Sequence, residues 1–245
     1  MQVLAALVAA CVTWAVSGDA AAGASSSAST AGDPSARQLV VVSAPAYGDT
    51  SATLTAYDVS GRRRHVVFGP WRAWIGRDGF APPGQKREGD GRTPSGVYGF
   101  QFMFGVYPNP GVHYSYRRAR PYDVWDDDPS SPLYNEWVDD RAQNPGVAPE
   151  PMDQTPAYGY GAVIAYNTAR TPGLGSAIFL HADIGGPTAG CVSLPIGELL
   201  DVLRWLNPIR SPRIDMGVAV DGRQDRRDRL EPIAGSDARD ARAMA

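Results

Sequence analysis

From Gln38 onward the chain repeats one construction, a short apolar or alternating run followed by a turn. Leu39-Val40-Val41-Val42 suits a buried strand, and Ala52-Thr53-Leu54-Thr55-Ala56-Tyr57 alternates in the manner of a half-buried one. Ser60-Gly61 fits a turn before His65-Val66-Val67-Phe68, so the opening reads as an antiparallel meander. Val97–Phe102, Ala162–Tyr166, Ala177–Leu180 and Ile214–Val220 are further strand candidates. Helical spacing stands out once, where Leu199, Leu200, Leu203 and Leu206 recur between Pro195 and Pro208. The expectation is a mostly β domain with one helix over about 196–207. A chain of 245 residues is one domain, or one domain with tails.

Two loop-rich stretches interrupt the pattern. Residues 76–96 are dense in Gly, Pro and charge and end in Gly-Asp-Gly-Arg-Thr-Pro-Ser-Gly. Residues 108–156 carry many prolines, acids and aromatics with weak periodicity, which marks a substrate-facing insertion rather than an ordinary connection. Tyr114, Tyr116, Tyr122, Trp125, Tyr134 and Trp137 either line a groove there or pack the insertion onto the core.

At the N-terminus, Val3 to Val16 is almost wholly apolar and is followed by small residues through Ala24. This is the pattern of an export signal over 1–24, too short to span a bilayer comfortably, although no Lys or Arg precedes Arg37. Val8-Ala9-Ala10-Cys11 also reads as a short lipobox, with Cys11 as a lipid attachment point. Residues 25–37 read as a low-complexity linker and 221–245 as a disordered tail, leaving 38–220 for the folded domain. The expected location is extracytoplasmic, with membrane contact only through the signal segment or a lipid on Cys11.

A net charge of −3 argues against a nucleic-acid partner, since phosphate neutralisation needs a basic surface. Once the signal is removed, Cys191 is the only thiol. A lone thiol makes no internal disulfide and no ordinary structural zinc site, and in an exported protein it is exposed to oxidation. Its surroundings point to chemistry. His181 follows the apolar run Ile178-Phe179-Leu180, and a glycine-containing loop, Gly185-Gly186-Pro187-Thr188-Ala189-Gly190, leads back to Cys191. An imidazole beside a thiol can remove its proton, and small residues at Ala189 and Gly190 let a carbonyl approach backbone amides that could stabilise an oxyanion. His65, beside three arginines in a hairpin, reads as an ordinary histidine, and His113, in the insertion, could contact substrate. No histidine follows Cys191, which disfavours papain-like enzymes.

Thr188-Ala189-Gly190-Cys191-Val192 resembles the [Ser/Thr]-His-Gly-Cys-hydrophobic signature of YkuD-type L,D-transpeptidases, with His181 similar to the family's upstream base. Thr93-Pro94-Ser95-Gly96-Val97-Tyr98 resembles the family's Thr-Pro-x-Gly-x-[Phe/Tyr] segment. The resemblance covers about 38–220 and implies a YkuD-like β-sandwich or partly open barrel without cofactor or metal. It further implies a peptidoglycan transpeptidase that forms 3→3 cross-links through a Cys191 acyl-enzyme on tetrapeptide stems. Water as acceptor would make the same site an L,D-carboxypeptidase or amidase, and lost activity would leave a wall-binding domain. A sortase-like reading fits poorly, because Thr188-Ala189-Gly190-Cys191 lacks the Leu-x-Thr-Cys pattern. Two departures stand out: Ala189 replaces a family histidine and Ser193 replaces the usual Arg or Asn. Tyr166, Asn167, Arg92 and Thr93 are candidate substrate contacts, and Arg92, Arg117, Arg118 or Arg120 could replace the missing cation. Asp183, Thr188 or a backbone carbonyl would orient His181. The sequence sets no oligomeric state.

Overall fold

The computed structural model describes residues 35–219, so the expected signal segment, Cys11, most of the linker and the tail lie outside the described residues. The opening meander is present as β1 (Gln38–Ala44), β2 (Ser51–Ser60) and β3 (Arg63–Trp74). Its second turn passes through Gly61 at φ 58°, a left-handed conformation that glycine adopts without strain. Ser35–Arg37, expected in the linker, are ordered: the Arg37 N–H donates to the Arg210 carbonyl at 2.9 Å.

A short parallel pair follows, β4 (Phe80–Ala81) and β5 (Thr93–Pro94), then β6 (Gly96–Tyr98) and β7 (Phe100–Gly105). The insertion holds β8 (Tyr116–Arg118), β9 (Asp123–Asp126), β10 (Glu136–Asp139) and β11 (Glu150–Pro151). The chain closes with β12 (Gly161–Ile164), β13 (Phe179–Ala182), β14 (Val192–Leu194), α1 (Ile196–Trp205) and β15 (Arg213–Val218). Ten strands form one sheet in the order β6-β15-β1-β2-β3-β14-β13-β12-β7-β8, and β10-β9-β11 form a small second sheet. The fold is therefore mostly β with one α-helix, and the large sheet curls in a way consistent with a YkuD-like sandwich.

Strand alternation explains how this sheet carries two apolar faces. On one side Met103, Ala162, Ile164, Leu180, Ala182, Val192 and Leu194 join the main core, which includes Val40, Val42 and Leu54. The helix presents Leu199, Val202 and Leu203 to that core, with Leu206 just beyond it. On the other side Phe104, Val163, Phe179 and Cys191 gather with Trp125, Met152 and Tyr158. The nucleophile candidate thus sits on the face that the insertion covers.

Helix α1 begins as expected, with the Leu199 N–H donating to the Pro195 carbonyl at 2.9 Å. It ends slightly earlier than its apolar spacing suggests, because Leu206 turns to an extended conformation. The wholly buried Gln38 seals that end from β1. Its Nε2 donates to the Trp205 carbonyl at 2.7 Å, and its Oε1 accepts from the Asn207 N–H at 2.8 Å. Helix ends leave backbone groups unpaired, and a side chain distant in sequence satisfies two of them here.

The insertion is not structureless, and its aromatics divide between the two expected roles. Trp125 and Tyr134 are buried, and Tyr114 packs edge-on against Phe100. Tyr116 donates to the Tyr107 carbonyl, and Tyr122 lies under the Arg141 guanidinium. Only Trp125 and Trp137, partners across β9 and β10, line an open pocket. Replacing Gln38 by Ala leaves the Trp205 carbonyl and Asn207 amide without their partner. Urea unfolding should register a loss of about 1–3 kcal/mol.

Candidate active site

Two neighbouring strands position the site. β13 and β14 run parallel with Leu180 opposite Val192 and His181 opposite Ser193. Opposed residues share a face, and side chains alternate, so Phe179, His181, Cys191 and Ser193 all project from one side. Leu180, Ala182, Val192 and Leu194 project to the helix side and anchor both strands in the main core. Each catalytic candidate is thereby adjacent in sequence to a fully buried aliphatic residue.

The connection 183–191 is shorter than the dozen or more residues that parallel neighbours ordinarily require. It is pinned outside its own strands. The Thr188 N–H donates to the Ile75 carbonyl at 2.9 Å, and the Arg77 N–H donates to the Thr188 carbonyl at 2.8 Å. The Thr188 hydroxyl donates to the Cys191 carbonyl at 2.7 Å. Thr93, wholly buried, adds a second brace: its Oγ1 donates to the Cys191 carbonyl at 3.3 Å and accepts from the Gly76 N–H at 2.8 Å. Gly190 is required by close approach, since a Cβ there would stand 2.9 Å from the Arg92 carbonyl oxygen. The Thr-Pro-x-Gly segment and the Gly-Cys segment, distant in sequence, are two halves of one support.

His181 is 5 % exposed, and its Nδ1 lies 2.8 Å from the Ala182 carbonyl oxygen. A carbonyl only accepts, so Nδ1 carries the hydrogen and Nε2 of the neutral ring keeps its lone pair. The backbone, rather than Asp183 or Thr188, orients the imidazole. Tyr158 stands edge-on to the ring at 5.5 Å between centroids. Burial pushes the imidazole pKa below its ordinary value, against the smaller opposing pulls of the Ala182 carbonyl and Asp183. The ring is therefore neutral near pH 7, the form in which it can take a proton.

Cys191 is 7 % exposed. Its thiol donates to the Ala177 carbonyl at 3.2 Å, and its sulfur accepts from the Phe179 N–H at 3.3 Å. Both partners belong to the backbone entering β13, not to the imidazole. The expected His181–Cys191 pairing is thus a shared face and not a hydrogen bond in this conformation. Burial raises the thiol pKa well above its usual range, with the Glu150 carboxylate adding to the effect. This thiol is un-ionised until a base and a substrate reorganise its contacts, and catalytic hydrogen bonds commonly tighten only once substrate is bound.

The remaining candidates separate clearly. The Gly190 N–H donates to Thr188 Oγ1 at 3.1 Å, so it must change partner before it could meet an oxyanion. Asn167 serves its own loop: its Nδ2 donates to the Thr171 and Gly175 carbonyls, and its Oδ1 accepts from the Thr171 N–H. The Tyr166 hydroxyl donates to the Leu174 carbonyl, and its ring meets Tyr98 edge-on. Arg92 is exposed and Thr93 is internal. Ser193 is buried opposite His181 with no hydrogen-bond partner for its hydroxyl. Arg118 and Arg120 hold the Val106 carbonyl and the Tyr122 hydroxyl, whereas Arg117 reaches the pocket. His65 and His113 are exposed on other elements.

Several participants had no local signal in the sequence. Tyr158 donates to Glu150, and Tyr134 and Ser176 both donate to Glu88. Burial lifts the Glu150 carboxyl to about 7, the Tyr158 hydroxyl opposes this, and the nearby charges of Asp127 and Glu88 add to it. Among the described residues no group of three or more His, Cys, Asp or Glu side chains is arranged to hold a metal ion.

The arrangement combines a thiol, a neutral imidazole oriented for proton transfer and a braced glycine loop. Residues 38–220 fit the model of the YkuD L,D-transpeptidase catalytic domain. The chain belongs to the YkuD family. Cysteine-dependent catalysis of the L,D-transpeptidase type and a peptidoglycan substrate are the family's general activity. Among curated proteins and among solved structures, nothing matches. The strand bearing His181 and the loop bearing Cys191 present both side chains to a single face, and the insertion lies over it.

The Glu150 carboxyl binds its proton more tightly folded than unfolded, so stability falls as pH rises from the ordinary carboxylate range to about 7. A Glu150→Gln protein keeps an acceptor for Tyr158 and loses that titration. The difference in urea midpoint between pH 5 and pH 8 should shrink in this variant; an unchanged difference would contradict the assignment.

Proposed function

We propose that the protein is a peptidoglycan L,D-transpeptidase that forms 3→3 cross-links, with Cys191 as nucleophile and His181 as base. The observation that carries this reading is the common face of β13 and the residues entering β14, from which the thiol and a neutral, backbone-oriented imidazole both project. Nε2 of His181 takes the thiol proton as the Cys191 sulfur attacks the carbonyl at the L-centre of the third stem residue. The tetrahedral adduct collapses to a thioester, and the imidazolium protonates the departing amine of D-Ala. The amine of a second stem then attacks the thioester, gives its proton to His181, and leaves an amide bond and a restored thiol. Substrate entry must first displace the sulfur from Ala177 and Phe179, which accounts for an un-ionised resting thiol. Such a thiol is protected from the oxidation that threatens a thiolate outside the cell.

The apolar segment Val3–Val16 and the small residues after it support an extracytoplasmic location, where this substrate is found. The decisive experiment offers purified disaccharide-tetrapeptides to wild type and to Cys191→Ser, with and without an added amine acceptor, and reads products by mass spectrometry. Wild type should form cross-linked dimer and Cys191→Ser should be slower on the order of 10³-fold or more. Equal product in the two proteins overturns the mechanism, and tripeptide alone identifies water as the acceptor. Since burial depresses the His181 pKa, the acid limb of kcat/KM should fall below the ordinary histidine value of about 6.5. His181→Ala should remove that limb.

A further inference from the structure

The pocket under the insertion has a composition that the fold alone does not require. It encloses about 340 Å³, and its walls include Phe102, Arg117, Trp125, Asn135, Trp137 and Arg170. Strand register builds it. Trp125 and Trp137 are cross-strand partners on β9 and β10, so their rings share a face. Arg117 is the partner of Phe104 on the neighbouring β7, which brings it to the same face as Phe102.

Charge in the pocket is unbalanced. Arg170 is paired with Glu136 at 2.5 Å. Arg117 is exposed and has no hydrogen bond or ion pair among the described residues; its guanidinium lies over Phe102 at 4.6 Å and Trp137 at 5.2 Å. With Arg117 and Arg170 against Glu136, the wall carries one net positive charge, in a chain whose overall charge is −3. One carboxylate would balance it, and the planar guanidinium fork matches a carboxylate in geometry.

The pocket is also wired to the nucleophile. Asn135 Oδ1 accepts from the Trp125 indole N–H at 3.1 Å and from the Ala177 N–H at 3.2 Å. The carbonyl of Ala177 is the acceptor for the Cys191 thiol. The Trp125 ring packs edge-on against Phe179 at 5.0 Å, and the Phe179 N–H is the donor to the Cys191 sulfur. Both backbone groups that hold the resting sulfur are thus one residue or one contact from the pocket floor.

We propose that this pocket is the subsite for a free carboxylate of the peptide substrate, with Arg117 as its ion partner and the Phe102, Trp125 and Trp137 rings as the floor beneath the adjoining stem segment. Ser193, buried and without a hydrogen-bond partner for its hydroxyl, offers no cation for such a group. The assignment rests on the proposed function for the identity of the substrate, but not for the chemistry of the pocket.

The test separates binding from turnover. Cys191→Ala protein is titrated with a tetrapeptide carrying a free C-terminal carboxylate and with its C-terminal amide, followed by tryptophan fluorescence. The free acid should bind more tightly, and adding Arg117→Ala should weaken it roughly 10- to 100-fold with little effect on the amide. Arg117→Lys should recover part of the loss, since it restores charge without the fork. In otherwise wild-type protein, Arg117→Ala should raise KM more than it lowers kcat, and alkylation of Cys191 by iodoacetamide should be unchanged. Equal affinities with and without Arg117, or equal binding of acid and amide, overturns the subsite. If those differences appear while wild type forms no cross-linked product, the pocket stands and the reaction falls; the reverse pattern leaves the reaction and removes the pocket.

Discussion

The parallel pairing of β13 with β14 is the constraint on which the rest of the site depends. Parallel neighbours need a crossover, and this one is unusually short, so the loop 183–191 has no element of its own to stabilise it. Its stability is borrowed. Thr188 bonds to the Ile75–Arg77 backbone, and Thr93 and Thr188 together hold the Cys191 carbonyl. The two sequence segments that resemble family motifs are therefore related physically: the first braces the loop that carries the second.

The strand pair also explains why the reacting groups can be rigid without sacrificing core packing. Alternation sends Leu180, Ala182, Val192 and Leu194 into the helix-covered core and His181 and Cys191 to the opposite face. Removing the nucleophile or the base changes the second cluster and leaves the first intact. That face is closed by the insertion, which brings Trp125, Met152 and Tyr158 over the thiol. Low polarity there has opposite effects on the two partners. It keeps His181 neutral and ready to accept a proton, and it keeps Cys191 protonated. The resting site is a matched pair of uncharged groups, and charge separation within it awaits substrate.

Half-buried carboxylates lie near this apolar patch, and the Glu150 charge acts on the Cys191 thiol. Tyr158 donates to Glu150, a near neighbour in sequence, whereas Tyr134 reaches Glu88 from a distant segment, and the charges of Asp127 and Glu88 both act on Glu150. The Glu150 charge opposes a thiolate at Cys191. The open pocket beyond Trp125 has the opposite sign through Arg117.

Strands with clear alternation and the helix bounded by two prolines were legible in the sequence because each rests on local periodicity, and Cys191 and His181 stood out as candidates through their neighbouring residues. The short strands β4, β5, β9, β10, β11 and β14 were not, since runs of two to four residues carry no period to read. Asn167 and Tyr166 drew attention as substrate contacts, yet their hydrogen bonds close their own loop. Glu150, Tyr158 and Asn135 left no signal because their roles arise only when the insertion folds back across the sheet. The sequence by itself singled out Cys191 and His181 as candidate reacting groups and set the order in which the chain supplies them. Tertiary structure alone decided that the sulfur rests on backbone rather than imidazole, that Ala182 orients His181, and which arginine faces the pocket. Those outcomes depend on strand register and long-range burial, and neither is encoded at any single position.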